Sequence, residues 1–176
     1  MPTTEVSAIL GESVAAIKRL PVFIARAVEL RGVYDAILLP TDGSDAATAA
    51  VANAIDLATQ YDATLHVLYV ADTTEYSTVT FEDDVVDPLE QEGKRIVDDI
   101  VAQAEARDVE ALGVVMQGGV YETLLQYADE QAIDVIVMGT HGRRGLGRAL
   151  LGSVTERVVR TADVPVMTVR EQTDEE

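Results

Sequence analysis

The chain has 176 residues, 48% of them apolar, which suits one domain of ordinary size with a substantial core and is not a disordered composition. The 31 acidic and 13 basic residues give a formal net charge of -18, a surface that repels nucleic acid and anionic membranes and so argues against both as partners. Having no cysteine excludes disulfides, thiolate metal sites and cysteine nucleophiles, and two histidines, His66 and His141, leave little for a histidine metal site or a Ser-His-Asp triad.

Residues 1–32 stand apart from the rest. They hold four basic residues (Lys18, Arg19, Arg26, Arg31) and three acidic ones (Glu5, Glu12, Glu29), whereas nine basic and 28 acidic residues follow. "SVAAIKRLPVFIARAVELRG" fits an amphipathic helix broken near Pro21. Its charges interrupt every apolar stretch, so it is neither a convincing signal peptide nor a membrane span. Three readings stand: a helix packed on the domain or a partner, a weak membrane-surface helix, or a start assigned too early. The third is preferred, with the domain beginning at Val33. Only two basic residues are lysines, Lys18 and Lys94. So acidic and lysine-poor a surface suits a salt-rich cytoplasm, against the blander reading of an ordinary acidic bacterial protein.

From Tyr34 onward apolar runs alternate with helical patterns. "YDAILLP" (34–40) reads as a buried strand, "SDAATAAVANAIDLATQ" (44–60) as an alanine-rich helix, and "ATLHVLYV" (63–70) as a second strand. Residues 71–84 lack a period and read as a loop, a candidate lid. A long helix follows to about Arg107, with Leu89, Ile96, Val97, Ile100, Val101 and Ala104 at helical spacing. A third strand lies within 109–118, and Tyr121, Leu124, Leu125 and Ala128 mark a third helix. "DVIVMG" (134–139) is a fourth strand. A glycine-rich stretch comes next, then a helix from about Ser153 to Ala162, the strand "VPVMTV" (164–169), and an acidic tail, 171–176.

Strands of near-continuous apolar character separated by helices imply a parallel sheet covered on both faces. Right-handed crossovers then leave an open doubly wound α/β domain. Its ligand belongs at the carboxyl ends of the strands, where strand order reverses.

The stretch "GTHGRRGLGRALLGS" (139–153) has five glycines and three arginines. It leaves a buried strand at Gly139 and enters a helix after Gly152, so a helix N-terminus with unpaired N–H groups lies at its end. Glycines allow sharp turns and let a phosphate approach the backbone. Arg143, Arg144, Arg148, Arg157 and Arg160 are five of the nine basic residues after position 32. The pattern is not a P-loop, since the stretch has no lysine. Nor is it the dinucleotide pattern, because Gly145 and Gly147 are followed by leucine at 150.

What fits is G-x2-G-x9-G-[S/T], at Gly139, Gly142, Gly152 and Ser153. With "ILLPTDGSDAA" (37–47) and "GSVTERVVRTADVPVMTV" (152–169), residues 33–170 resemble the nucleotide-binding branch of the universal stress protein family. The resemblance implies an adenine nucleotide alpha hydrolase-like fold, an open doubly wound five-stranded parallel sheet of order 3-2-1-4-5 with helices on both faces. It also implies an ATP site, with AMP or ADP as related ligands and Mg2+ or Mn2+ arriving with the phosphates near Asp42. There Asp42, after Pro40 and Thr41, bonds the ribose. Val70, closing the second strand, borders the adenine with Pro40. Met138 and Gly139 lie against the nucleoside, and Gly142, Gly152, Ser153 and Val154 surround the phosphates, with Arg143 beside them. It implies a homodimer through the last strand (164–169), whose Pro165 suits an edge, and a cytoplasmic regulator or sensor, here of a halophilic archaeon. A slow ATP hydrolase and a dimeric scaffold without nucleotide are the alternatives; no positioned general base, metal cluster or nucleophile elbow is legible.

Blander readings accompany these residues. Ser153 with Glu156 forms a capping box, and both roles are expected of Ser153 together. Asp42 also suits the turn "TDGS", and Met138 also suits the core. Gly145 and Gly147 read as loop residues. Arg157 and Arg160 read as solvated charges or partners of the helix dipole, while Arg143, Arg144 and Arg148 stay open between phosphate contact and solvation. His141 reads as structural, and His66 as core or dimer packing.

Overall fold

The computed structural model describes residues 33–73, 82–142 and 151–171. The described residues form nine elements, β1 (Ala36–Pro40), α1 (Asp45–Tyr61), β2 (Thr64–Asp72), α2 (Glu82–Glu105), β3 (Ala111–Gly118), α3 (Val120–Glu130), β4 (Val135–Gly139), α4 (Ser153–Thr161) and β5 (Val166–Val169). The strands form one sheet of order β3-β2-β1-β4-β5. Every pairing is parallel, as the sequence predicts.

Two-residue periodicity sorts the strand side chains onto two faces. Ile37, Leu39, Leu65, Val67, Tyr69, Val135 and Val137 share one core with Val51 and Ile55 of α1 and Val97, Ile100 and Ala104 of α2. Leu38, Leu68, Ile136 and Met138 share the other with Leu124, Tyr127 and Ala128 of α3 and Val158 of α4. Burying each large aliphatic side chain contributes about 1.5–3 kcal/mol. β1 is apolar throughout because it lies between two strands and two helical layers.

Small residues bring α1 close to the sheet. Ala46, Ala47, Ala50, Ala54 and Ala58 are buried along one face. The helix is capped at its start, where Ser44 Oγ accepts from Ala47 N–H at 3.2 Å. It ends at Asp62, which adopts the left-handed conformation with φ 54°. At the opposite edge of the sheet, Asp134 fixes β4 against β1: one carboxylate oxygen accepts from the N–H groups of Asp35 (2.7 Å) and Ala36 (3.0 Å). Asp134 N–H in turn donates to Ala36 C=O at 2.9 Å. The strands that flank the reversal point are thus held in register from below.

Three boundaries differ from the sequence reading. β2 continues past Val70 to Asp72, because Ala71 and Asp72 pair with Gln117 and Gly118 of β3. Val70 therefore does not close its strand. α2 begins at Glu82 and carries Pro88 within it, so the polar stretch 71–84 is shared between a strand end and a helix start; residues 74–81 lie outside the described residues. Likewise β5 starts at Val166, after Pro165, whose missing N–H cannot join a ladder.

Candidate functional site

At the carboxyl edge of the sheet, β1 and β4 are neighbours whose crossovers leave in opposite directions. β1 feeds α1 on one face, and β4 feeds α4 on the other. Of the candidate residues, Pro40, Thr41 and Asp42 follow β1 to this reversal, and Gly139 and Gly142 follow β4 to it, while Val70 lies on the neighbouring β2. Pro40 ends β1, and Thr41 N–H extends its ladder by donating to Leu68 C=O at 2.9 Å. A tight turn follows: Gly43 N–H donates to Thr41 Oγ1 (3.2 Å), Ser44 N–H donates to Asp42 Oδ1 (3.0 Å), and Gly43 has φ 73°. Asp42 thus fulfils the turn role open to it, with Oδ2 directed elsewhere.

That second oxygen meets the glycine-rich segment. A β-carbon on Gly142 would fall 2.5 Å from Asp42 Oδ2. The other two motif glycines are equally hemmed in by protein. A β-carbon on Gly139 would lie 2.6 Å from the carbonyl carbon and oxygen of Ala46, in the first turn of α1, and one on Gly152 would lie 3.1 Å from His141 Cα. Glycine is required here chiefly so that protein can approach protein, rather than to leave an open lane for phosphate. The segment is also closed by Gly152 N–H, which donates to Thr140 C=O at 2.9 Å. A continuous chain of contacts therefore runs from Asp42 through Gly142, His141 and Thr140 to Gly152 and the start of α4.

α4 begins without a cap. Its N-cap residue is Gly152, in extended conformation, with no side-chain capping bond. The expected capping box is overturned: Ser153 is the first helical residue, one position too late for its hydroxyl to serve the cap. Glu156 turns the other way and accepts from Arg160. The first intrahelical bond is from Glu156 N–H to Gly152 C=O at 2.8 Å. That leaves the N–H groups of Ser153, Val154 and Thr155 without an acceptor among the described residues, together with the exposed Ser153 hydroxyl. α3 likewise starts uncapped, after Gly119. α1, by contrast, has its cap in Ser44.

The remaining candidates divide by burial. Met138 is 5% exposed and belongs to the core beneath α3 and α4, while Val70 and Val154 pack against the same core half-buried. Val70, Met138 and Val154 therefore share the α3–α4 side of the sheet, with Met138 inside its core. Arg143, Arg144, Gly145, Gly147 and Arg148 lie outside the described residues. Among those described, no cluster of three or more histidine, aspartate or glutamate side chains is gathered to hold a metal.

Three contacts near these residues escaped the sequence reading. Thr155 Oγ1, buried, donates to Gly139 C=O at 3.0 Å and fastens α4 to the end of β4. Thr140 Oγ1 and His141 Nδ1 lie 3.2 Å apart at the mouth. The Arg157 guanidinium lies 5.2 Å from the centre of the Tyr121 ring. The first and third depend on how α3 and α4 pack on the sheet, and the second, between sequence neighbours, on the backbone path after β4. His66 is a core residue: its Nδ1 is 2.9 Å from Tyr127 Oη. Burial lowers the pKa of His66 and raises that of Tyr127.

Comparison with known proteins gives the family and the fold. The sequence model of the universal stress protein family matches residues 34–170. Universal stress protein MJ0531 of Methanocaldococcus jannaschii is 34% identical over 141 residues, covering 78% of this chain and 83% of its own. The solved structure of protein MJ0577 superposes with a TM-score of 0.74 at 30% identity, over 81% of this chain and 99% of that one. The fold extends to two more distant structures. One is a universal stress protein in complex with cAMP (TM-score 0.58, 23% identity, 79% of this chain and 98% of that one). The other is an Arabidopsis thaliana family protein with AMP bound (TM-score 0.59, 17% identity, 79% of this chain and 93% of that one).

Proposed function

The chain belongs to the universal stress protein family, and from that premise we propose that it binds ATP at the β1–β4 reversal point and acts as a stress-response regulator or sensor. The observation that carries this reading is the continuous path from Asp42 through Gly142 and Gly152 to an uncapped α4. It ends in three N–H groups and a hydroxyl with no protein partner among the described residues. An anion satisfies such a helix start, and the dipole favours it. Asp42, against Gly142, suits a ribose hydroxyl. Val70 and Val154, half-buried against the core that holds Met138, suit the apolar side of a nucleoside. AMP and cAMP in two relatives of the same fold support an adenine nucleotide as the ligand class.

In this reading the chain's own residues bind and orient. The α4 amides and Ser153 Oγ hold phosphate, Asp42 orders the sugar, and Gly142, Gly152 and Arg143 complete the surround. Magnesium or manganese would neutralise phosphate charge beside Asp42. Domain and setting complete the proposal: residues 33–170 form the functional domain, 1–32 an extension and 171–176 an acidic tail. The protein works as a homodimer joined at β5 in the salt-rich cytoplasm of a halophilic archaeon. The acid-rich, lysine-poor composition supports that setting; undiminished stability at low salt would contradict it. No helix of the described residues is long and apolar enough to cross a membrane. Calorimetric titration with ATP and magnesium tests the central claim: saturable binding, weakened by Asp42→Ala, is expected.

A further inference from the structure

Two arginines follow Ser153 on α4, and they are disposed differently. Arg160 donates to Glu156, one turn back. Arg157 pairs with no carboxylate of the described residues and instead lies over Tyr121, although acidic side chains are abundant in this chain. We propose that Arg157 is a phosphate-binding residue that makes the site discriminate among nucleotides by their number of phosphates. This rests on the nucleotide site proposed above and names the residue that would set its preference.

The placement follows from the fold. Arg157 is four residues after Ser153, so the two lie on one face of α4, a turn apart. Helical side chains lean toward the N-terminus, which carries Arg157 back toward the uncapped start. Tyr121 is the second residue of α3, three positions beyond the end of β3, so its ring also lies at the carboxyl edge. An arginine that reaches Tyr121 is therefore directed to the edge where the ligand would sit. Among the described residues no hydrogen bond or ion pair takes up the guanidinium N–H donors of Arg157, so its contact with the ring is compatible with bidentate phosphate contact. The ring also orders the long side chain beforehand, which lowers the entropy lost on binding.

The test compares ATP, AMP and adenosine binding to the full chain, by calorimetry, for the unchanged protein and for Arg157→Gln, Arg157→Lys, Tyr121→Phe and Tyr121→Leu. Arg157 is exposed, so its replacements should leave the melting temperature unchanged. Arg157→Gln is expected to weaken ATP by about tenfold or more while leaving adenosine unchanged. Arg157→Lys should recover part of that loss. Tyr121→Phe retains the stacked face and should match the unchanged protein, whereas Tyr121→Leu should weaken ATP by about two- to fivefold. An unchanged ratio of ATP to adenosine affinity in Arg157→Gln would overturn the assignment while the nucleotide site stood. Absence of all binding in the unchanged protein would remove both.

Discussion

The carboxylate of Asp42 occupies the space that a side chain on Gly142 would need: Oδ2 is 2.5 Å from the position of that β-carbon. Two loops from opposite sides of the strand reversal therefore touch through a glycine and an acid. Gly142→Ala must displace Asp42, whose other oxygen is already committed to Ser44 N–H. The displaced atom ends a side chain, so the fold should suffer little while ATP affinity drops by about tenfold. Combining it with Asp42→Ala should add little further loss, because the clash is gone. Titration calorimetry and thermal melts read the two effects separately; equal ATP affinity in Gly142→Ala would contradict this view of the contact.

Gly139→Ala should behave in the opposite way. Its β-carbon would meet the backbone of Ala46 at 2.6 Å, and a capped helix turn cannot rotate aside as a carboxylate can. The expected cost is about 1–3 kcal/mol of stability, seen as a lower urea midpoint with unchanged slope. An unaltered midpoint would mean that α1 yields more easily than its packing suggests.

His66 should make stability depend on pH. Burial lowers its folded pKa below the ordinary 6.5, so the unfolded chain takes up the proton first as pH falls. Its contribution is whole above 6.5 and is lost progressively from there down to the lowered folded value. His66→Gln has no such group. The difference in unfolding free energy between the two proteins should shrink from about pH 7.5 to about pH 5.5; parallel curves would show that the imidazole does not titrate differently on folding.

Self-association should depend on β5. Met167 is 41% exposed on this edge strand and Val159 of α4 is 46% exposed, and an uncovered edge invites a partner. Light scattering should give a dimer at micromolar concentration and a monomer for Met167→Asp, with ATP affinity retained. A monomeric unchanged protein would refute the β5 interface.

The fold was legible because its strands are apolar runs bounded by turn signals, and their alternation with amphipathic helices leaves few topologies. The order 3-2-1-4-5 came with the family resemblance. Less legible were features decided by packing. "GSVTE" cannot say whether Ser153 is the cap or the first helical residue; the extended conformation of Gly152 decides that. Val70 looked like a strand end because its neighbours on β3 were unknown. The glycine spacing was plain in the sequence, but the reason glycine is needed at 139, 142 and 152 lay in Ala46, Asp42 and His141, which sequence distance conceals. Thr155 and the Tyr121–Arg157 pair carried no local signal at all.

Titration of ATP with magnesium into the purified full chain tests the central claim most directly. The account predicts saturable heat of binding, weakened about tenfold or more by Asp42→Ala. No heat from the unchanged protein, together with no adenine nucleotide among the small molecules released when it is denatured, would contradict it.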